Sequence, residues 1–303
     1  MQAKVRLILA LASVATRVSA QDLAPRAYVI TPVGSNAVTF TYSYNNGTTF
    51  VDPSIPIEDF RGHFQTQVLT YYHAFNLFGR SANVAATLPY AFANFTAIVA
   101  GLPVQAYRSG LVDGRFRIAA NLRGGPAIYP KEFGSWREKT TIGASFTILV
   151  PTGQYDPHRL INPGTHRWGF KPEVGLTRRW GKWMLDCYGG AWFYTANNAF
   201  YPGTSLRTQA HVLNGELHFG RYMKPRLWAS LDANFWNGGQ SAIDAINNND
   251  RQRNSRLGAT VSIPVGPHQS FKFSYSAGAY ITIGGNYKTV SAAWQYSWIG
   301  RPE

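Results

Sequence analysis

A transmembrane antiparallel up-and-down β-barrel of about twelve strands, all-β and preceded by a cleaved signal peptide, is the fold class this sequence predicts. Three observations predict it. Apolar and polar residues alternate with a period of two along nearly the whole chain. Charged residues make up only 15% of the 303 residues and aromatics another 15%, against roughly a quarter charged in soluble proteins. Beyond the first twenty residues, no apolar run approaches the roughly 20 residues that a membrane-spanning helix needs, which leaves a closed barrel as the way to cross.

The N-terminus comes first. Lys4 and Arg6 give a basic start, Leu7 to Ala15 an apolar stretch and Val18-Ser19-Ala20 a small-residue cleavage site, the pattern of a secretory signal. Residues 1–20 are therefore expected to be removed, leaving residues 21–303 as one outer-membrane barrel exported to the bacterial outer membrane. Gln21 rather than a cysteine would begin the mature chain, so no lipid anchor is indicated.

The strands follow. In Val38-Thr39-Phe40-Thr41-Tyr42-Ser43-Tyr44 the even positions are apolar and the odd ones small and mostly hydroxylated, so one face suits lipid and the other water. Arg115 to Arg123 sets Phe116, Ile118, Ala120 and Leu122 against three arginines and Asn121. Ile142 to Val150, Leu227 to Phe235, Leu257 to Ile263 and Val290 to Trp298 repeat the alternation. About twelve such segments can be counted, an even number as single-chain barrels require.

Connections alternate in length. Asn76 to Arg80, Gly181-Lys182, Lys224-Pro225 and Gly266-Pro267 are tight turns, whereas 45–61, 93–109, 151–166, 196–207 and 237–255 are long. Short ends face the periplasm and long ends the outside. The segment Gly124 to Glu138 departs from this by being long at a periplasmic position, and Pro130-Lys131-Glu132-Phe133 predicts a short helix there. Aromatics near strand ends, Tyr71, Tyr72, Trp168, Trp180, Trp183, Trp192, Trp228, Trp236, Trp294 and Trp298, suit the two interfacial girdles of a bilayer. Cys187 is the only cysteine, so no internal disulfide is available.

Parity assigns Arg115, Arg117, Arg123, Lys171, Glu173, Asp186, Glu216, His218 and Asp232 to the lumen, since a charge facing lipid at mid-depth would cost about 2–4 kcal/mol. Two roles are open for them: a selectivity constriction, or mutual pairing that fills a narrow barrel. The net charge of +14 invites anionic partners. Export argues against nucleic acid, leaving outer-membrane lipid, lipopolysaccharide phosphates and anions drawn to a pore mouth.

Five stretches, in order, carry a family resemblance: Leu88-Pro89-Tyr90, Ser109-Gly110-Leu111-Val112-Asp113-Gly114, Pro151-Thr152-Gly153-Gln154-Tyr155-Asp156, Asn162-Pro163-Gly164-Thr165-His166-Arg167-Trp168 and Ala293-Trp294-Gln295-Tyr296-Ser297-Trp298. Through them the chain resembles the family described as "Putative MetA-pathway of phenol degradation", outer-membrane transporter-like barrels. The resemblance implies passage of a small, aromatic or hydrophobic solute. Ile299 to Glu303 follow the final aromatic, a departure from barrels that end on one. The loop Pro151 to Trp168, stiffened by Pro151, Gly153, Pro157, Pro163 and Gly164, is expected either to shape the pore mouth or only to terminate its two strands.

The remaining function classes are a channel or transporter, a surface binding or adhesion barrel acting through its loops, and a barrel hydrolase. An enzyme is not expected. The seven histidines are scattered, none sits in a Gly-x-Ser-x-Gly context, and none has zinc-type spacing with a second ligand. No cofactor and no metal are expected.

Overall fold

A computed structural model of the chain describes residues 25–51 and 57–300. The signal peptide expected over residues 1–20 lies outside the described residues.

Seventeen strands are present among the described residues: β1 (Ser35–Phe50), β2 (Ile57–Leu77), β3 (Arg80–Val99), β4 (Leu102–Leu111), β5 (Gly114–Arg123), β6 (Thr140–Val150), β7 (Gly169–Trp180), β8 (Trp183–Tyr194), β9 (Asn197–Phe200), β10 (Ser205–Gln209), β11 (Val212–Lys224), β12 (Leu227–Gly238), β13 (Ser241–Ile243), β14 (Ile246–Asn247), β15 (Gln252–Val265), β16 (Gln269–Tyr280) and β17 (Gly284–Ile299). The wall runs β1-β2-β3-β5-β6-β7-β8-β11-β12-β15-β16-β17, and β17 pairs back onto β1. Every wall pairing is antiparallel, and the closed ring of twelve leaves no membrane-embedded strand edge. Among the described residues no helix is long and apolar enough to cross a membrane.

Alternation fixes which face meets lipid. Phe40, Tyr42 and Tyr44 are exposed while Thr39, Thr41 and Ser43 are half-buried. Likewise Leu231 is 67% and Leu257 55% exposed, with Asp232 and Arg256 buried beside them. An apolar exterior wrapped around polar side chains is the inverse of a water-soluble sandwich, and it is what a bilayer stabilises.

Two expected loops turn out to be strand. Residues 93–109 form the end of β3 and nearly all of β4, and most of 45–61 extends β1 and β2. Outward-facing residues of β2 change from Leu69 and Tyr71 to Gln67, Gln65, His63 and Arg61 toward its outer end. The sheet therefore continues above the bilayer, because pairing is still the way to satisfy backbone groups there. β4 and β5 act as one wall strand broken at Val112 and Asp113: β4 pairs with Tyr90–Val99 of β3, and β5 with Ala82–Thr87.

The expected helix over Pro130–Phe133 is present as a four-residue element, α1, with proline in its first turn. The turns at Phe78-Gly79, Gly181-Lys182, Pro225-Arg226 and Gly266–His268 close the periplasmic ends. Outside, β9, β10, β13 and β14 form a separate small sheet.

Candidate functional site in the barrel lumen

Six of the nine residues assigned to the lumen meet in one chain of contacts across the inner wall. Arg117 on β5 lies 4.0 Å from Glu173 on β7. Glu173 is 2.5 Å from Lys171, which is 3.7 Å from Glu216 on β11. Glu216 is 3.4 Å from His218, and His218 is 2.8 Å from Asp232 on β12. Basic and acidic side chains alternate along it, three of each. The hydroxyls of Ser230 and Thr260 donate to Asp232 at 2.8 and 2.7 Å. Glu173, Glu216, His218 and Asp232 are all buried, so the ladder is sealed into the wall.

The other three assigned residues stand apart. Asp186 is fully buried and holds the N-terminal segment, as described next. Arg115 is half-buried. Arg123 is exposed at the periplasmic end of β5, past a register shift between Asn121 and Arg123. That bulge breaks the parity on which its inward assignment rested.

Residues 25–34 cross the lumen from the β2 wall to the β8 wall. Gly34 N–H donates to the Ala74 carbonyl and Thr31 bonds the Tyr72 hydroxyl. At the far side Arg26 N–H donates to Asp186 at 2.9 Å and Ala27 N–H to the Tyr188 hydroxyl at 3.0 Å. Between them Tyr28, 1% exposed, donates to the Glu173 carboxylate at 3.0 Å and contacts the Ser145 hydroxyl. Its ring fits a slot floored by Gly175, where a Cβ would strike the ring carbons. The Arg26 guanidinium stands over the rings of Tyr222 and Trp228.

Two apolar collars bracket the ladder. Leu149, Trp192, Val212 and Trp236 pack together at the extracellular end, and Met184, Tyr222 and Trp228 at the periplasmic end. The sequence reading missed both. Their signal is parity, because Trp192 shares the inward face of Asp186, and Trp228 and Trp236 that of Asp232, although position near a strand end suggests interfacial aromatics.

The opposite arc, β16-β17-β1-β2-β3, is lined differently. Thr41 and Ser43 on β1, Thr66 and Thr70 on β2, Ser274 on β16 and Ser291 on β17 face inward and are half-buried. They bond to one another, as in Thr70 with Thr87 at 3.3 Å and Ser274 with Ser291 at 2.5 Å. Interior space reachable by water therefore borders this arc.

The loop 151–168 is clasped to the wall. Buried Asp113 accepts from Gly153 N–H at 3.0 Å and from Thr165 N–H and hydroxyl at 2.8 and 2.5 Å. Gln154 N–H donates to the Leu111 carbonyl, which carries the wall past the end of β6. Gly153 and Gly164 lie back to back, where a Cβ on either would meet the other's backbone. Arg167 reaches Gln209 at 2.6 Å, and Asn197 bonds Tyr155 and the Thr165 carbonyl, joining the loop to the small outer sheet. Three stretches of the resemblance, around Asp113, Gly153 and Thr165, thus converge on one clasp.

No curated protein matches this chain significantly. Among solved structures it is similar to an outer membrane channel from Pseudomonas putida F1, at 18% identity and a TM-score of 0.76, covering 91% of this chain and 100% of that one. It is also similar to the translocator domain of the autotransporter NalP from Neisseria meningitidis, at 11% identity and a TM-score of 0.51, covering 88% and 89%. Both likenesses concern the outer-membrane barrel fold. The family model described as "Putative MetA-pathway of phenol degradation" matches residues 39–282, and the chain belongs to that family.

Proposed function

We propose that the chain is an outer-membrane channel or transporter for small aromatic or hydrophobic compounds, and that solutes follow the hydroxyl-lined arc past the N-terminal crossbar. The observation that carries this reading is the contrast between the two arcs. Every full charge of the ladder is neutralised by a neighbour and most are sealed from water, whereas the inward faces of β17, β1, β2 and β3 carry hydroxyls and other neutral groups, with Lys272 of β16 and the buried Arg256 of β15 at their edge. Such a surface suits a neutral solute with one polar group, such as a phenol, which gains hydrogen bonds without ionic desolvation.

The reading is of a non-enzyme, supported by His218, whose ring nitrogens face two carboxylates rather than a hydroxyl nucleophile. Export through a signal peptide over residues 1–20 belongs to the same reading, and N-terminal sequencing of the outer-membrane form should begin at Gln21.

The test is single-channel conductance of the refolded barrel in planar bilayers, with phenol and benzoate added in turn. Blockade by phenol, weakened when Ser291 is replaced by Trp, is the expected result. A folded barrel whose conductance ignores both solutes and the Ser291→Trp change overturns it.

A further inference from the structure

The extracellular rim carries a basic pocket that the passage does not use. β15 enters the barrel from outside at Gln252, and its odd-numbered residues point outward, as 55% exposed Leu257 shows. One pleat above Leu257, Ser255 lies opposite Phe235 of β12 and Tyr280 of β16, which are 52% and 57% exposed. One pleat further, Arg253 lies opposite Asn237, and both are exposed, as is Arg251. The outer surface thus passes from aromatic to guanidinium over about 7 Å, two residues of strand rise. That is the transition from acyl chains through the aromatic girdle to headgroups.

Arg251 and Arg253 line an open pocket of about 430 Å³ with Asn237, Gln252 and Thr282. None of these is acidic. The nearest carboxylate in sequence, Asp250, is buried and accepts from the Ser241 N–H and hydroxyl at 2.8 and 2.7 Å, so it faces the small outer sheet. The pocket's backbone is fixed: Arg253 N–H donates to the Thr282 hydroxyl at 3.0 Å, and Thr282 N–H to Asn254 at 2.8 Å. Asn254 in turn donates to the Ile283 carbonyl at 2.9 Å.

We propose that this pocket binds a phosphate of lipid A in the outer leaflet. Two guanidiniums match phosphate oxygens in a planar, forked geometry that lysines would not supply. Asn237, exposed beside them, adds a neutral donor. The depth selects a lipid phosphate over a free one, because acyl chains attached to it lie on Phe235, Tyr280 and Leu257 directly below.

Native mass spectrometry of the full barrel tests this by counting bound lipid for bisphosphorylated and dephosphorylated lipid A of the same acylation. The wild-type chain should retain the phosphorylated form at least about tenfold better, and Arg251→Gln with Arg253→Gln should remove that preference. Equal retention of the two lipids by the wild-type chain overturns the proposal and requires no variant to fold. So does a heat-modifiable, folded double variant that keeps the preference. Displacement of lipid A by inorganic phosphate or phosphatidylglycerol at equal concentration would make the pocket a general anion site and overturn it as well. Channel conductance of the double variant should be unchanged, so this result and that of the solute path are read separately.

Discussion

The two arcs of the barrel interior solve the same problem in opposite ways. From β5 to β12 the wall buries its polar groups, pairing Arg117, Glu173, Lys171, Glu216, His218 and Asp232 into a ladder and pressing Tyr28 against it. From β16 through β1 to β3 the wall keeps small hydroxylated residues half-buried and open to water. The first arc costs desolvation and must be complete to be tolerable. The second costs little and leaves room. Stability should therefore concentrate on one arc and permeation on the other, and each expectation below tests that division.

The largest effect belongs to Asp232→Ala. It strips His218, Ser230 and Thr260 of a shared acceptor and leaves a buried ladder end uncompensated, which should cost about 3–5 kcal/mol. Denaturant unfolding of the refolded barrel in lipid vesicles measures it. Thr41→Ala on the open arc should change stability by less than about 0.5 kcal/mol in the same assay. Similar costs for both would break the comparison.

Next comes the clasp. Asp113→Ala removes the acceptor of three bonds from Gly153 and Thr165, at about 2–3 kcal/mol for charge-assisted bonds left unmade. The loss should be local, because the ring of twelve strands closes without the loop. Limited trypsin digestion should then cleave at Arg159 faster than in the wild-type chain, with the barrel otherwise intact.

The wall was legible in the sequence because its physics is periodic: Phe40 against Thr41, or Leu231 against Asp232, reports a face at every step. The same period sets Glu173, Glu216, His218 and Asp232 at buried positions, and at Arg123 a register shift resets it. What the period does not encode is partnership. Nothing local in Pro25 to Gly34 says that this segment crosses a lumen, since its partners Asp186, Tyr188 and Glu173 lie some 150 residues away in sequence. Aromatic residues defeated the reading in a related way, because a tryptophan near a strand end suits a membrane girdle and an inner collar equally well. Only its parity separates the two, as at Trp192 and Trp236.

The crossbar supplies the third test. Gly175→Leu would place a side chain where the Tyr28 ring sits, with an overpacking cost of about 1–3 kcal/mol if the segment stays. Displacement of residues 25–34 relieves that cost, so conductance should rise while unfolding stability falls by less than for Asp232→Ala. A fall in conductance would mean that the new side chain, rather than the departing segment, governs the open width.

The smallest effect is the most discriminating. Arg117 ends the ladder beside Tyr28, 4.0 Å from Glu173, with 22% of its side chain exposed. Arg117→Gln should cost no more than about 1 kcal/mol, the range of a partly solvated ion pair, because Lys171 still neutralises Glu173 at 2.5 Å. If solutes follow the hydroxyl arc, the removed charge never faced the path, and the reversal potential in a potassium chloride gradient should stay where it is. A shift toward cation preference would place the ladder on the path as an ion filter. It would also make the buried arc the selective one, inverting the division of labour from which the other expectations follow.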